Sequence, residues 1–239
     1  MRSRKFLVSL CLLSLLVFVG CAYTTERTHP NFSERRKEIK SIGIMPPEFH
    51  MFERTATIDE PKPELDAEAD SNIVNALNEV LKEGGFVSVA VPMNDSALVY
   101  DQELALDLTR QKQSFDKACD SAIVSKKKTV NLTVDPNVGV FADLAQTDYL
   151  LFVRGMGYQT SGGAKAKDVA IGALSAVLFG TYAGSQWTGM VLEIGLVDAN
   201  SAELLWYNRN TVDQSNYNAR QPKSAKKLCK KILEKLVKK

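Results

Sequence analysis

Four cysteines and two histidines are the residues of this 239-residue chain best suited to nucleophilic or metal chemistry. Two histidines are too few for a His-rich metal site or for a catalytic centre with several imidazoles. The cysteines show neither Cys-x-x-Cys nor zinc-site spacing. The Gly-x-Ser-x-Gly signature of serine hydrolases and the His-Glu-x-x-His signature of zinc metalloproteases are absent from the sequence as well. The sequence therefore predicts a protein that is not an enzyme, with no catalytic residue, no metal site and no cofactor.

Cys21 stands in a setting in which a cysteine thiol is acylated. Three basic residues among the first five precede an uncharged run over residues 6–20, which is too short for a comfortable membrane span. The run ends in Gly20 and Cys21, which match the two strictest positions of a bacterial lipoprotein signal, although Phe18 stands where leucine is usual. The sequence predicts a signal peptide over residues 1–20 and a lipid on Cys21. A signal-anchor helix or another cleavage site is the alternative.

Removal of the signal peptide changes the charge balance of the chain. Residues 1–20 hold three of the thirty basic residues and none of the twenty-eight acids, so the mature chain is nearly neutral. A nucleic-acid partner normally requires a basic surface, and none is expected here. Ala22 follows the acylated cysteine, whereas an aspartate there favours retention in the inner membrane of enteric bacteria. The sequence thus predicts a location in the outer membrane, facing the periplasm.

Cys11 lies within the predicted signal peptide and Cys21 is the predicted lipidation site, so Cys119 and Cys229 are the two cysteines that remain. In an oxidising periplasm they are candidates for a disulfide. Such a bond would close a loop of about 110 residues and contribute about 4–5 kcal/mol in the chain-entropy model. Two separate buried thiols are the alternative, because cysteine is commonly buried as a small hydrophobic residue.

The hydrophobic pattern predicts one α/β domain over residues 39–239, in which helices pack on a mixed β-sheet. Residues 21–38 are polar, charged and interrupted by Pro30, which predicts a lipidated tether. Strands are predicted over residues 40–47, 86–91, 148–155, 189–197 and 203–208, the last two as a hairpin. Helices are predicted over residues 73–81, 96–125 and 224–238. Residues 48–52, which include His50, are predicted as a loop whose aromatic residues either contact a partner or simply pack.

A glycine-rich apolar insertion is predicted at about residues 155–189, and residues 169–192 carry no charge. Dinucleotide and phosphate-loop motifs fail here because the required glycine and lysine positions are not filled. One interpretation is a segment that contacts a membrane or ring neighbours. The others are a membrane span and a small-residue helix, about residues 166–179, packed on the sheet. The candidate contact residues are Val169, Leu174, Leu178, Phe179 and Trp187.

Three segments resemble a group of bacterial envelope lipoproteins: residues 41–47, residues 144–151 and the hairpin of residues 196–208 with its Val-Asp-Ala turn and Leu-Trp strand. The group includes the curli-secretion channel lipoprotein and the penicillin-binding-protein activator lipoprotein. The resemblance covers most of the chain from residue 39 onward and implies a sandwich similar to the TolB N-terminal and anticodon-binding folds. It implies a binding, scaffolding or transport-assembly role, and it supplies no catalytic residues.

These observations together predict an outer-membrane lipoprotein with a non-catalytic role in envelope assembly, secretion or maintenance. Its expected partners are the lipid bilayer, through acylated Cys21, and other envelope proteins, with a homo-oligomer also possible. The first alternative is an oligomeric, channel-like secretion lipoprotein in which residues 169–192 contact the membrane or ring neighbours. The second is an envelope hydrolase.

Overall fold

The computed structural model describes residues 24–54, 59–93, 101–160, 189–213 and 218–238. Within these ranges, eight strands form one mixed sheet with helices packed on it, which confirms the predicted fold class. The central path of the sheet consists, in spatial order, of β1 (Thr24–Thr28), β8 (Glu203–Asp213), β7 (Gly189–Asp198), β6 (Tyr149–Thr160), β2 (Ser41–Ile44) and β5 (Val87–Ala90).

Helices cover both faces of the sheet and create two hydrophobic cores. On the first face lie α2 (Pro63–Glu83), α5 (Pro222–Ile232) and α6 (Glu234–Val237); on the second lie α3 (Gln102–Val124) and α4 (Gly139–Ala145). A short helix, α1 (Phe32–Arg35), follows β1. Successive side chains of β8 point to opposite faces of the sheet, so Trp206 packs in the first core and Tyr207 in the second.

The helix predicted over residues 73–81 is confirmed and extends further toward its N-terminus. Its apolar residues recur at helical spacing, and Ile73, Leu77 and Leu81 are fully buried. The helix stops at Gly84 and Gly85, and Gly85 has a φ of +87°, a conformation that suits glycine. The predicted helices over residues 96–125 and 224–238 correspond to α3 and to the pair α5 and α6.

Residues 48–52, predicted as a loop, instead form most of β3 (Glu48–Arg54), so this prediction was wrong. Pro46 and Pro47 lack the N–H that a continuous ladder needs, and the chain resumes pairing immediately after them. Both β2 and β3 therefore run parallel to β6, one after the other along the same edge. The side chains of Phe49 and Met51 point into the first core. A further strand, β4 (Asp59–Pro61), pairs antiparallel with β3.

The predicted hairpin of β7 and β8 is confirmed, and its turn is tightly held. The carboxylate of Asp198 accepts hydrogen bonds from the backbone N–H groups of Asn200, at 2.8 Å, and Ser201, at 3.3 Å. The guanidinium of Arg35 on α1 pairs with both Asp198 and Glu203. These contacts place a charged, polar cluster at this end of the sheet.

Cys119 and Cys229 are free, buried thiols on opposite faces of the sheet, which corrects the predicted disulfide. Cys119 belongs to the second core and Cys229 to the first, so the sheet separates the two sulfur atoms. Burial raises the pKa of both thiols, that of Cys229 to about 12. The structure therefore agrees with the alternative of two separate buried thiols.

The predicted tether over residues 21–38 is corrected as well, because Thr24–Thr28 within it form a strand of the sheet, β1. Strand β1 pairs antiparallel with β8 over five residues. The indole N–H of Trp206 donates to Glu26 at 2.9 Å, and His29 is buried directly after the strand. The guanidinium of Arg27 donates to the backbone oxygens of Ala122 and Ser125 at the end of α3. A polar strand can join a sheet edge because backbone hydrogen bonds, rather than apolar side chains, hold it there.

Candidate functional site

A cleft of about 410 Å³ lies on the second face of the sheet, beside α3. Its floor is formed by β3, β6, β7 and β8, and the C-terminal half of α3 forms its wall. Acidic and basic side chains make up most of its lining, so the cleft is suited to polar contacts. Its lining residues are Glu48, His50, Asp116, Asp120, Ile123, Arg154, Gly155, Met156, Val191, Glu193 and Arg209.

Four charged residues cross the floor of the cleft in a line, which we call the charge row: Glu48, Arg154, Glu193 and Arg209. The strand register places them directly opposite one another, one on each of β3, β6, β7 and β8. Their charges alternate in sign along the line. Opposite charges on facing residues of neighbouring strands attract each other, so the register itself is favourable.

Arg154 is the centre of the charge row, and all of its guanidinium nitrogens bind carboxylates. Its Nε lies 2.6 Å from Glu193, its Nη1 2.8 Å from Asp116 and its Nη2 3.0 Å from Asp120. The two aspartates are one helical turn apart on α3, which places both on the side facing the sheet. Burial opposes the charge of Arg154, but the surrounding anions raise its pKa overall.

Glu193 is buried beneath the cleft and has partners for both of its carboxylate oxygens. One oxygen binds Arg154; the other accepts a hydrogen bond from the hydroxyl of Tyr207 and lies 3.6 Å from Nε of Arg209. Burial and the negative charge of Glu193 raise the pKa of Tyr207, so its hydroxyl keeps its proton and remains a donor. A buried charge is tolerated when it is paired and hydrogen-bonded in this manner.

The described side chains that line the cleft can bind and position a polar ligand. Cys119 lies close to the charge row, but burial raises the pKa of its thiol and keeps it protonated. Asp120 is the most accessible acid of the cleft, with its side chain 73% exposed, and its carboxylate binds Arg154 next to Asp116. In the part of the chain that the structure describes, no group of three or more metal-ligating side chains converges.

A second acidic cluster lies where α2 packs against β3. A carboxylate oxygen of Asp66 accepts a hydrogen bond of 2.7 Å from the backbone N–H of Met51, and His50 lies 3.5 Å from the other oxygen. One turn along α2, Oδ1 of Asp70 is buried without a hydrogen-bond partner among the described residues. Burial raises the pKa of Asp70 to about 7. The fold therefore holds the Asp70 carboxyl group in an environment that disfavours its ionised form.

Replacing Asp70 with asparagine is expected to stabilise the protein at pH 8 by about 1–2 kcal/mol, a value reduced for the solvent that still reaches this group. Between about pH 4 and pH 7 the unfolded chain releases a proton that the folded chain keeps, so ionisation of Asp70 increasingly favours unfolding as pH rises. The increase in the free energy of unfolding caused by Asp70→Asn should be much smaller at pH 4. Urea denaturation of the variant and the wild type at both pH values measures this difference. The exposed Asp143→Asn variant is the control, and an equal change at both pH values would contradict the interpretation.

Most of the residues predicted from sequence as functional lie outside the described residues. Gly20 and Cys21 lie outside the described residues, as do the five candidate contact residues of the insertion (Val169, Leu174, Leu178, Phe179, Trp187). Cys119 and Cys229 lie in separate cores. No described helix is both long enough and apolar enough to cross a bilayer.

The charge row was missed by the sequence analysis, although the sequence contains a signal for it. Arg154 follows the apolar stretch of residues 150–153, and Glu193 interrupts another apolar stretch within β7. A charged side chain within an apolar strand is rarely buried without an oppositely charged partner, so each of these two residues indicates that such a partner lies nearby. Their register across β6 and β7, which follows from the fold, identifies the pair.

Comparison with known proteins assigns the chain to no family. No family model matches the sequence, and no curated protein matches it. Among solved structures, a PelC dodecamer from Paraburkholderia phytofirmans that carries one leucine-to-methionine substitution is 13% identical, with a TM-score of 0.42 over 91% of this chain and 99% of that chain. A second PelC dodecamer structure from the same organism is 14% identical, with the same TM-score and coverage.

Proposed function

We propose that this protein is an outer-membrane lipoprotein that faces the periplasm and acts without catalysis, through contacts with other envelope proteins. The observation that carries the proposal is the basic and then apolar N-terminus that ends in Gly20 and Cys21. The folded domain begins only three residues later, at Thr24. The mechanism is tethering: acylated Cys21 holds the domain at the membrane and raises its local concentration near partners there.

The charge row supports a non-catalytic role. The guanidinium of Arg154 is fully engaged by carboxylates, and Glu193 has partners for both oxygens. An acid–base catalyst needs a group that is free to exchange a proton at the operating pH, and these groups neutralise one another instead. The two described thiols are buried and protonated.

An exposed apolar edge supports a role in protein contacts. Strand β5 is the last strand of the central path, and its outer edge has no neighbouring strand among the described residues. The side chain of Val87 is 63% exposed there, and Val89 is exposed beside it. Two further exposed apolar residues, Val140 and Leu144, lie on α4, which packs on the same face. An unpaired edge strand with apolar side chains is a common template for association, and a second copy of the chain is one candidate partner.

Membrane fractionation of the wild-type chain and of the Cys21→Ser variant tests the proposal. The wild-type protein is expected in the outer-membrane fraction, and Cys21→Ser is expected to lose this association because no thiol is left to acylate. The Cys119→Ser variant is the matched control, because it removes a thiol that lies inside the domain and should leave the location unchanged. A wild-type protein found free of membranes, or a Cys21→Ser variant that stays in the outer membrane, would overturn the proposal.

A further inference from the structure

We propose that one end of the sheet, the end at which β1 begins, is the surface of the domain that meets the lipid bilayer. The inference rests on the proposed lipid anchor at Cys21. It adds an orientation that the anchor alone does not supply.

The short link between Cys21 and the domain limits how far this end of the sheet lies from the bilayer. Two residues, Ala22 and Tyr23, separate Cys21 from Thr24, and an extended chain covers at most ~10 Å over these three steps. Thr24 already pairs with Asn210 in the sheet. Since β1 is held along its whole length by β8, Thr24 stays within the sheet and keeps this end of the sheet within reach of the anchor. The end of the sheet around Thr24 must therefore lie near the headgroups.

The strand register shows which residues share this end, which we call the anchor end. Asp213 of β8 pairs with Gly189 of β7, and Gly157 of β6 pairs with Met190 of β7. Beyond Gly157, Thr160 closes β6 opposite Arg54 of β3. The anchor end thus comprises the first residue of β1 and β7 and the last residue of β3, β6 and β8.

The opposite end of the sheet has the character of a surface that faces water. It carries the turn between β7 and β8, with the cluster of Arg35, Asp198 and Glu203. Strand β7 contains 10 residues, so the turn lies ~30 Å from the anchor end. The two ends therefore differ in their expected distance from the bilayer.

Two variants of the full, lipidated chain, each with one added cysteine, test the orientation. Asp59→Cys places a thiol at the first residue of β4, opposite Arg54 at the anchor end, and Asn200→Cys places one in the distant turn. Both positions are exposed, whereas Cys119 and Cys229 are buried and protonated and should react little with a maleimide dye. The labelled proteins are reconstituted into phosphatidylethanolamine and phosphatidylglycerol vesicles that carry a nitroxide quencher on the headgroup.

We expect strong loss of fluorescence for the Asp59→Cys label and little loss for the Asn200→Cys label. Mass spectrometry of the same samples verifies that Cys21 is acylated, and both labels on a Cys21→Ser background supply the unanchored baseline. Equal quenching at the two positions, or the reverse order, in protein with acylated Cys21 would overturn the orientation while leaving the anchor intact. Protein without acylation would overturn the anchor, and the orientation with it.

Discussion

Replacing Arg154 with methionine is expected to lower the free energy of unfolding by about 3 kcal/mol. The substitution leaves Glu193 buried with Arg209 and Tyr207 but without the guanidinium that lies 2.6 Å from its oxygen. It also releases Asp116 and Asp120 of α3, which loosens the attachment of that helix to the sheet. Urea denaturation at neutral pH, followed by circular dichroism, measures the loss.

Two further variants distinguish the effect of breaking the buried Arg154–Glu193 pair from the effect of losing any positive charge. Arg154→Met combined with Glu193→Gln should recover much of the stability, because the neutral amide still accepts the hydrogen bond of Tyr207 and no buried charge is left unpaired. Lys117→Met removes an exposed cation of the same helix, α3, and should change stability by less than about 0.5 kcal/mol. An Arg154→Met variant as stable as wild type would show that the charge row does not hold α3 on the sheet.

Deleting residues 22–28 from the Cys21→Ser chain is expected to lower the free energy of unfolding by about 4 kcal/mol or more. The deletion removes β1, so the edge of β8 loses its backbone partners and the buried indole of Trp206 loses Glu26. The contacts of Arg27 with the end of α3 are lost as well. Each buried donor left without an acceptor costs about 1–3 kcal/mol, and several are affected at once.

Thermal unfolding of the deletion variant, compared with the full chain, measures this effect. Ser33→Ala is the control, because it changes an exposed residue of the same N-terminal region without touching β1. A deletion variant that unfolds cooperatively at the midpoint of the full chain would mean that residues 22–28 behave as a free linker. The pairing of β1 with β8 would then contribute nothing to stability.

The elements that the sequence predicts correctly are those with a strong apolar period. Ile73, Leu77 and Leu81 define a helix by their spacing alone, and the hairpin of β7 and β8 follows from two apolar strands around a turn. Strand β3 also alternates, with Phe49 and Met51 inward, but the prolines before it conceal its continuity with β2. Strand β1 has no apolar residue, so its place in the sheet depends on backbone pairing that composition does not show.

The site was harder to predict than the fold, because it depends on contacts between distant elements. Arg154 and Glu193 are 39 positions apart, and only the register of β6 and β7 places them opposite each other. The acids of α3 join them because of how that helix crosses the sheet. The predicted disulfide failed for a related reason: Cys119 and Cys229 each lie on a buried helix face, and the sequence does not tell that the sheet lies between them.

The mass of the N-terminal peptide of the protein isolated from its native membrane shows directly whether Cys21 is lipidated. We expect a peptide that begins at Cys21 and carries the added mass of a diacylglyceryl group and an amide-linked acyl chain. The Cys21→Ser variant should lack this species altogether. A wild-type peptide that begins at Met1, that begins at another residue, or that carries an unmodified Cys21 would contradict the lipid anchor and the role proposed from it.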